Sequence, residues 1–187
     1  MASVMPFDEL NKFEERIRER YVNLGMRLEQ NAEEEDIIDE MLDLFLLAYA
    51  TGNSVTNENL ASDWMPKVDE VMSVVNEEVA GKTWRQRVED YFANNGTGED
   101  LIRIAETETH RISNTAALET ARHGGARFKT WATMLDEKVR DTHEYLEMVT
   151  VGIDDNFYTF DGDRAQAPGL FYLPENNVNC RCELVFS

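Results

Sequence analysis

The chain has 187 residues, 42% of them hydrophobic and 29% charged, and carries a formal charge of −19 at pH 7. A chain of this length buries roughly 70% of its unfolded surface, so neither a metal nor a disulfide is required for folding. Thirty-seven acidic against eighteen basic side chains exclude a generic DNA-binding surface, which depends on clustered Lys and Arg to neutralise phosphates, and no apolar run reaches the ~18 residues of a membrane span.

Residues 1–6 show neither the basic region nor the apolar core of a secretion signal. The two cysteines are therefore expected to be made in a reducing compartment and to begin as thiols. The charge is uneven: residues 1–100 hold 23 acidic and 9 basic side chains, and residues 101–187 hold 14 and 9. Such an acidic half is a solubilising surface, and it also suits docking on a basic protein partner.

In chain order, residues 7–30 read as an amphipathic helix. Leu10, Phe13, Ile17, Tyr21, Leu24 and Leu28 recur every three or four positions, and Pro6 suits a helix start. A second helix opens at Glu33-Glu34-Glu35-Asp36, where acidic groups favour the helix dipole. Its apolar stretch, 37–49, suits a central position in a bundle, and Gly52 is expected to end it. A third helix is expected over 59–79, closed by Gly81, with Pro66 near its start. Thr83-Trp84-Arg85-Gln86 is a capping box for a fourth helix. Thr97 and Asp100 cap a long fifth helix that ends at Gly124-Gly125.

Beyond Gly125 the texture changes. Residues 127–134 alternate as a strand with Trp131 on one face, and Val149, Val151 and Ile153 alternate again. Residues 154–179 read as a long loop, and such loops are usually functional or mobile. A terminal strand is expected over 180–186. The pattern defines an α+β protein. An N-terminal helical bundle occupies residues 1–82. In residues 83–187 a long helix packs on a small, mainly antiparallel sheet.

Three constellations carry possible chemistry. On the long helix, Glu108 and Arg111 are three apart and can pair on one face. They form either a surface ion pair or, with Glu108 facing inward, an anchor for the polar turn through a charge-assisted bond. Directly after the first strand, Asp136, Arg140, Asp141 and His143 form a dense polar segment, either a capped turn or a site. Cys180 and Cys182, one residue apart, project from one face of an extended chain. They can serve as a packed thiol pair or as two zinc ligands, with His143 as a third and Asp141, His123 or water as a fourth.

Taken in order, Ile104-Ala105-Glu106-Thr107-Glu108, Asn114-Thr115-Ala116-Ala117, Lys129-Thr130-Trp131, then Asp136, Arg140 and His143, Phe157, and finally Asn179-Cys180-Arg181-Cys182 resemble the C-terminal domain of the phage Mu F-like minor head proteins, the head morphogenesis family. The resemblance covers about residues 83–187. This chain departs from the family at Glu106, where an arginine is usual, at Lys138-Val139, and at Glu147-Met148, where a glycine is usual. The resemblance implies a structural role in phage or prophage head assembly, not an enzymatic one. It implies contacts with the portal protein, the major capsid protein or further copies of the chain, and location in the virion after assembly in the host cytoplasm. No cofactor is expected other than the zinc considered for the cysteines. Glu108, Asp136, Arg140, Asp141 and His143 are then a structural polar cluster. Two alternatives remain open: a small hydrolase- or transferase-like enzyme using Glu108, Asp136, Arg140 and His143, and a module stabilised by zinc on Cys180, Cys182 and His143.

Overall fold

The structure is a computed structural model and describes residues 7–29 and 32–187, with side chains from residue 16 onward except 28–31. The side chains of Leu10, Phe13 and Leu28, and Pro6 with its proposed helix start, lie outside the described residues. Five helices come first: α1 (Phe7–Glu29), α2 (Glu34–Leu60), α3 (Val68–Val75), α4 (Trp84–Ala93) and α5 (Gly98–His123). The strands and short helices β1 (Phe128–Ala132), α6 (Asp141–Glu144), β2 (Thr150–Gly152), β3 (Phe157–Tyr158), β4 (Arg164–Ala165), α7 (Pro174–Asn177) and β5 (Glu183–Phe186) follow. This is the α+β arrangement read from the sequence.

Local signals account for the helix starts. Thr83 Oγ1 accepts the Gln86 amide while the Gln86 side chain accepts the Thr83 amide, and Thr97 and Asp100 repeat the arrangement. Two orphan donors are satisfied at each start. Gly52, by contrast, does not end α2. A Cβ there would sit 2.2 Å from the Ser113 carbonyl oxygen on α5, so this glycine lets two helices cross closely. The helix runs on to Leu60 and stops where Ala61 adopts a left-handed φ of 52°. Asn53 and Asn57 then donate to the Trp64 carbonyl and fold the chain back on α2. The expected third helix is shortened at both ends to α3: residues 61–67 are spent on this return and on Pro66, which has no N–H to give, and Asn76, not Gly81, closes it, its side chain donating to the Met72 carbonyl.

The helical core gathers Ile17, Leu24, Ile37, Met41, Phe45, Trp84, Val88, Leu101, Ile112 and Ala116, among others. It draws on α1 to α5 and so includes residues on both sides of Gly81. A second core gathers Trp131, Leu146, Phe157, Phe171, Cys180 and Cys182. The central strand β1 pairs antiparallel with β2 on one side and β5 on the other, with Trp131 opposite Leu184. Helix α5 serves both cores. Its apolar face enters the first, and its His110 and Asn114 side chains hold the Cys182 carbonyl at 2.6 and 3.3 Å.

Two expectations for the C-terminal part change. The segment 154–179 is not a structureless loop, since β3, β4 and α7 lie within it. The final strand starts at Glu183, so Cys180 and Cys182 lie in the extended approach to it. Asn179, at φ 55°, turns the chain into that approach. Side-chain alternation holds all the same: both cysteines are buried and Arg181 between them is exposed.

Candidate functional site

Glu108 and Arg111 are each almost fully buried and pair at 2.7 Å. The second Glu108 oxygen accepts from Arg87 at 2.9 Å. Arg111 also donates to the carbonyls of Val74 and Val75 at the end of α3 and to Glu77. Glu108 therefore faces inward and is not part of a surface ion pair, but it anchors α3 and α4 to α5 rather than the polar turn. Each oxygen of this buried carboxylate is held by a guanidinium group in a charge-assisted bond. The proposed grouping of Glu108 with Asp136, Arg140 and His143 is thus not formed, because Glu108 belongs to the helical core.

The other members of that set lie close together. Asp136 is exposed and takes a two-pronged ion pair from Arg181, at 2.7 and 2.8 Å. The Arg181 guanidinium holds its carboxyl below the ordinary range. Arg140 precedes α6, and its Nη2 donates to the Val178 carbonyl at 2.6 Å. Asp141 opens α6, where an acidic group favours the helix dipole. His143, two residues on, is buried.

His143 enters an aromatic box. Its ring stacks on Phe171 with centroids 5.3 Å apart and meets Trp131 edge-on at 5.5 Å. Trp131 in turn packs edge-on against Phe157 at 5.1 Å. On the remaining side stand the two thiols. Nδ1 of His143 lies 3.6 Å from Cys180 Sγ and 3.4 Å from Cys182 Sγ. Both cysteines are free. The adjacent Cys182 side chain holds the Cys180 thiol below its ordinary range, helped by nearby Arg140 and Arg181. The neighbouring Cys180 side chain, with burial, pushes the Cys182 thiol upward. His123 stacks on Trp64 and takes no part, and Asp141 is not among the atoms that converge there.

Several residues that organise this region were passed over in the sequence as loop punctuation. The Asp163 carboxylate accepts from the amides of Arg164, Tyr172 and Leu173 and from Asn176 Nδ2. Asn177 exchanges two hydrogen bonds with the Phe171 backbone, which fixes the ring that stacks on His143. Thr142 reaches the same lattice through Asn176 at 3.0 Å. Lys129, two residues before Trp131 and therefore on its face of β1, is buried with no hydrogen-bond partner for its amine. Burial pulls that amine down to about 8. The two-residue spacing from Trp131 was the available signal for this inward lysine.

The sequence matches the family described as Phage Mu protein F like protein over residues 54–185. That span is more than two thirds of the chain, and the protein belongs to this family. Among curated proteins, it is 29% identical over 85 residues to the minor head protein GP7 of Bacillus phage SPP1, covering 44% of this chain and 28% of that protein. It is 28% identical over 165 residues to the NAD(+)--arginine ADP-ribosyltransferase EFV of Enterococcus faecalis (strain ATCC 700802 / V583), covering 69% of this chain and 34% of that protein. The chain thus spans about a third of the length of these relatives. No solved structure matches it significantly.

Proposed function

We propose that this protein is a structural minor head protein of a phage or prophage, working in head assembly at or near the portal through protein–protein contacts. The observation that carries the proposal is the family match over residues 54–185, supported by the name of the SPP1 relative. Two of the carboxylates singled out in the sequence are held by arginines elsewhere in the fold, which suits a scaffolding part. Glu108 is taken by Arg87 and Arg111, and Asp136 by Arg181. The partners are the portal protein, the major capsid protein or both, with self-association as a further contact. The charge of −19 favours basic surfaces on those partners and disfavours direct contact with nucleic acid. Among the described residues no helix is long and apolar enough to cross a membrane. The protein then ends in the virion, after assembly in the host cytoplasm. Co-expression with the portal and major capsid proteins of the same phage tests this. Co-elution with at least one of them, weakened by high salt because exposed charges are screened, is expected. A lone species in the presence of both overturns the reading.

The enzymatic reading draws on the name of the Enterococcus relative, an ADP-ribosyltransferase. Against it stand the one-third coverage of that relative and the commitment of Glu108 to two arginines. An assay for NAD+ consumption and for ADP-ribose transfer to arginine separates the readings. Turnover abolished by His143→Ala, with the fold retained, would favour the enzyme.

A further inference from the structure

We propose that His143, Cys180 and Cys182 form a zinc site with three protein ligands, Nδ1 and two Sγ atoms, and a fourth position open to solvent. Nothing in this inference depends on the head-assembly role.

The geometry comes first. The three ligand atoms lie within 4.8 Å of one another. Zinc takes imidazole nitrogen at ~2.0–2.1 Å and thiolate sulfur at ~2.3 Å in a tetrahedron, which places N and S about 3.5 Å apart along a tetrahedral edge. The two N–S separations here are 3.6 and 3.4 Å. A single imidazole nitrogen set equally against two sulfurs is poorly explained by hydrogen bonding, because an unprotonated Nδ1 has one lone pair and accepts one S–H. A metal set between them, at ~2.1 Å from the nitrogen and ~2.3 Å from each sulfur, satisfies all three together. The donor set, two soft sulfurs and an imidazole, selects zinc over magnesium or calcium.

The positions are also held from outside. The three residues are 2, 6 and 3% exposed. His143 is fixed by α6 and by its stack on Phe171, and the Cys182 backbone by His110 and Asn114 of α5. Fixed ligands lower the entropic cost of binding. A small pocket opens over the triad between Lys138, Val139, Arg140 and Arg181. It has room for about 10 Å³, roughly the space one water needs. Arg140 Nη1 is buried without a partner and lines this pocket. A water or hydroxide on the metal would give that N–H an acceptor. Binding converts both thiols to thiolates, whose protons pass to solvent. The two thiolate charges neutralise the ion, so with water in the fourth position no net charge is buried. The metal would tie α6 to the approach to β5.

The full chain, purified under reducing conditions without chelator, is dialysed against zinc and its metal content measured. One zinc per chain is expected. Titration of the stripped protein with cobalt should give an intense tetrahedral spectrum with thiolate charge-transfer bands. In the zinc-loaded protein both thiols should resist a thiol reagent and become reactive after chelation. Cys182→Ser and His143→Ala should each lose stoichiometric metal. The cobalt spectrum of the unaltered chain decides the matter even where a variant fails to fold. Substoichiometric zinc with no tetrahedral cobalt spectrum, thiols equally reactive with and without zinc, or a Cys180–Cys182 disulfide as the only product would each overturn the site.

Discussion

Arg111 and Glu108, one turn apart on α5, form an ion pair at 2.7 Å with both side chains almost fully buried. Through Arg111 the pair also closes the carbonyl end of α3. Removing one partner of a buried pair leaves an uncompensated charge and typically costs about 3–5 kcal/mol. Arg111→Ala keeps Glu108 paired with Arg87 but leaves the Val74 and Val75 carbonyls without their donor, so a loss of about 3 kcal/mol, at the low end of that range, is expected in urea unfolding. Glu77, the half-exposed outer partner of Arg111, is a control: Glu77→Gln is expected to cost about 1 kcal/mol or less. Equal losses for the two variants would show that burial does not set the strength of this network.

Two glycines inside helices should respond in opposite directions to alanine. In a helix interior alanine is worth about 1 kcal/mol over glycine. At Gly25 an added Cβ meets only Ile102 Cδ1, at 3.9 Å, so Gly25→Ala should gain most of that. At Gly52 the Cβ would sit 2.2 Å from the Ser113 carbonyl oxygen. Backbone cannot give way as a side chain does, and forcing the helices apart costs about 1–3 kcal/mol. Gly52→Ala should therefore lower the midpoint of thermal unfolding while Gly25→Ala raises it.

Lys129 should make stability depend on alkaline pH. Burial lowers its amine from 10.5 to about 8, with the Phe157 ring 5.6 Å away as a weak compensation. Below about pH 8 the amine is charged in both folded and unfolded chains, and its contribution is flat. Between about 8 and 10.5 the unfolded chain holds the proton and the folded one does not, so this group adds stability as pH rises. Lys129→Met removes the charge from the core and should be more stable than the parent at pH 7, by ~1 kcal/mol or more. Urea midpoints at pH 7, 8, 9 and 10 should show the difference shrinking. A difference that stays constant would mean the amine is not titrating in this range.

Asp163 is the hub of the segment 157–177. Its two oxygens accept four hydrogen bonds, three of them from backbone amides. Asp163→Asn turns one acceptor into a donor facing donors. Each buried donor left unpaired costs about 1–3 kcal/mol. Amide hydrogen exchange at Tyr172 and Leu173 should accelerate in the variant, while that in α2 and α5 should change little. Uniform acceleration would mean that the segment and the helices unfold as one unit.

Interactions within one turn of chain were determined by the sequence alone. The capping boxes at Thr83 and Thr97, the i to i+3 pairing of Glu108 with Arg111, the alternation that buries Trp131 and the shared face of Cys180 and Cys182 depend on neighbours a few residues away. Residue type and spacing specify them, and the family resemblance rested on the same short motifs. Only the tertiary structure decided the rest. Gly52 looked like a helix end because its packing partner, Ser113, is sixty-one residues further on. His143 was one of three histidines that could meet the cysteines. Packing assigned His110 to the Cys182 carbonyl, His123 to Trp64 and His143 to the thiols. Asp163 and Asn177 read as turn residues, but a carboxylate or amide closed off from water must find partners wherever the fold brings them. Those partners are set by long-range packing, which no local pattern encodes.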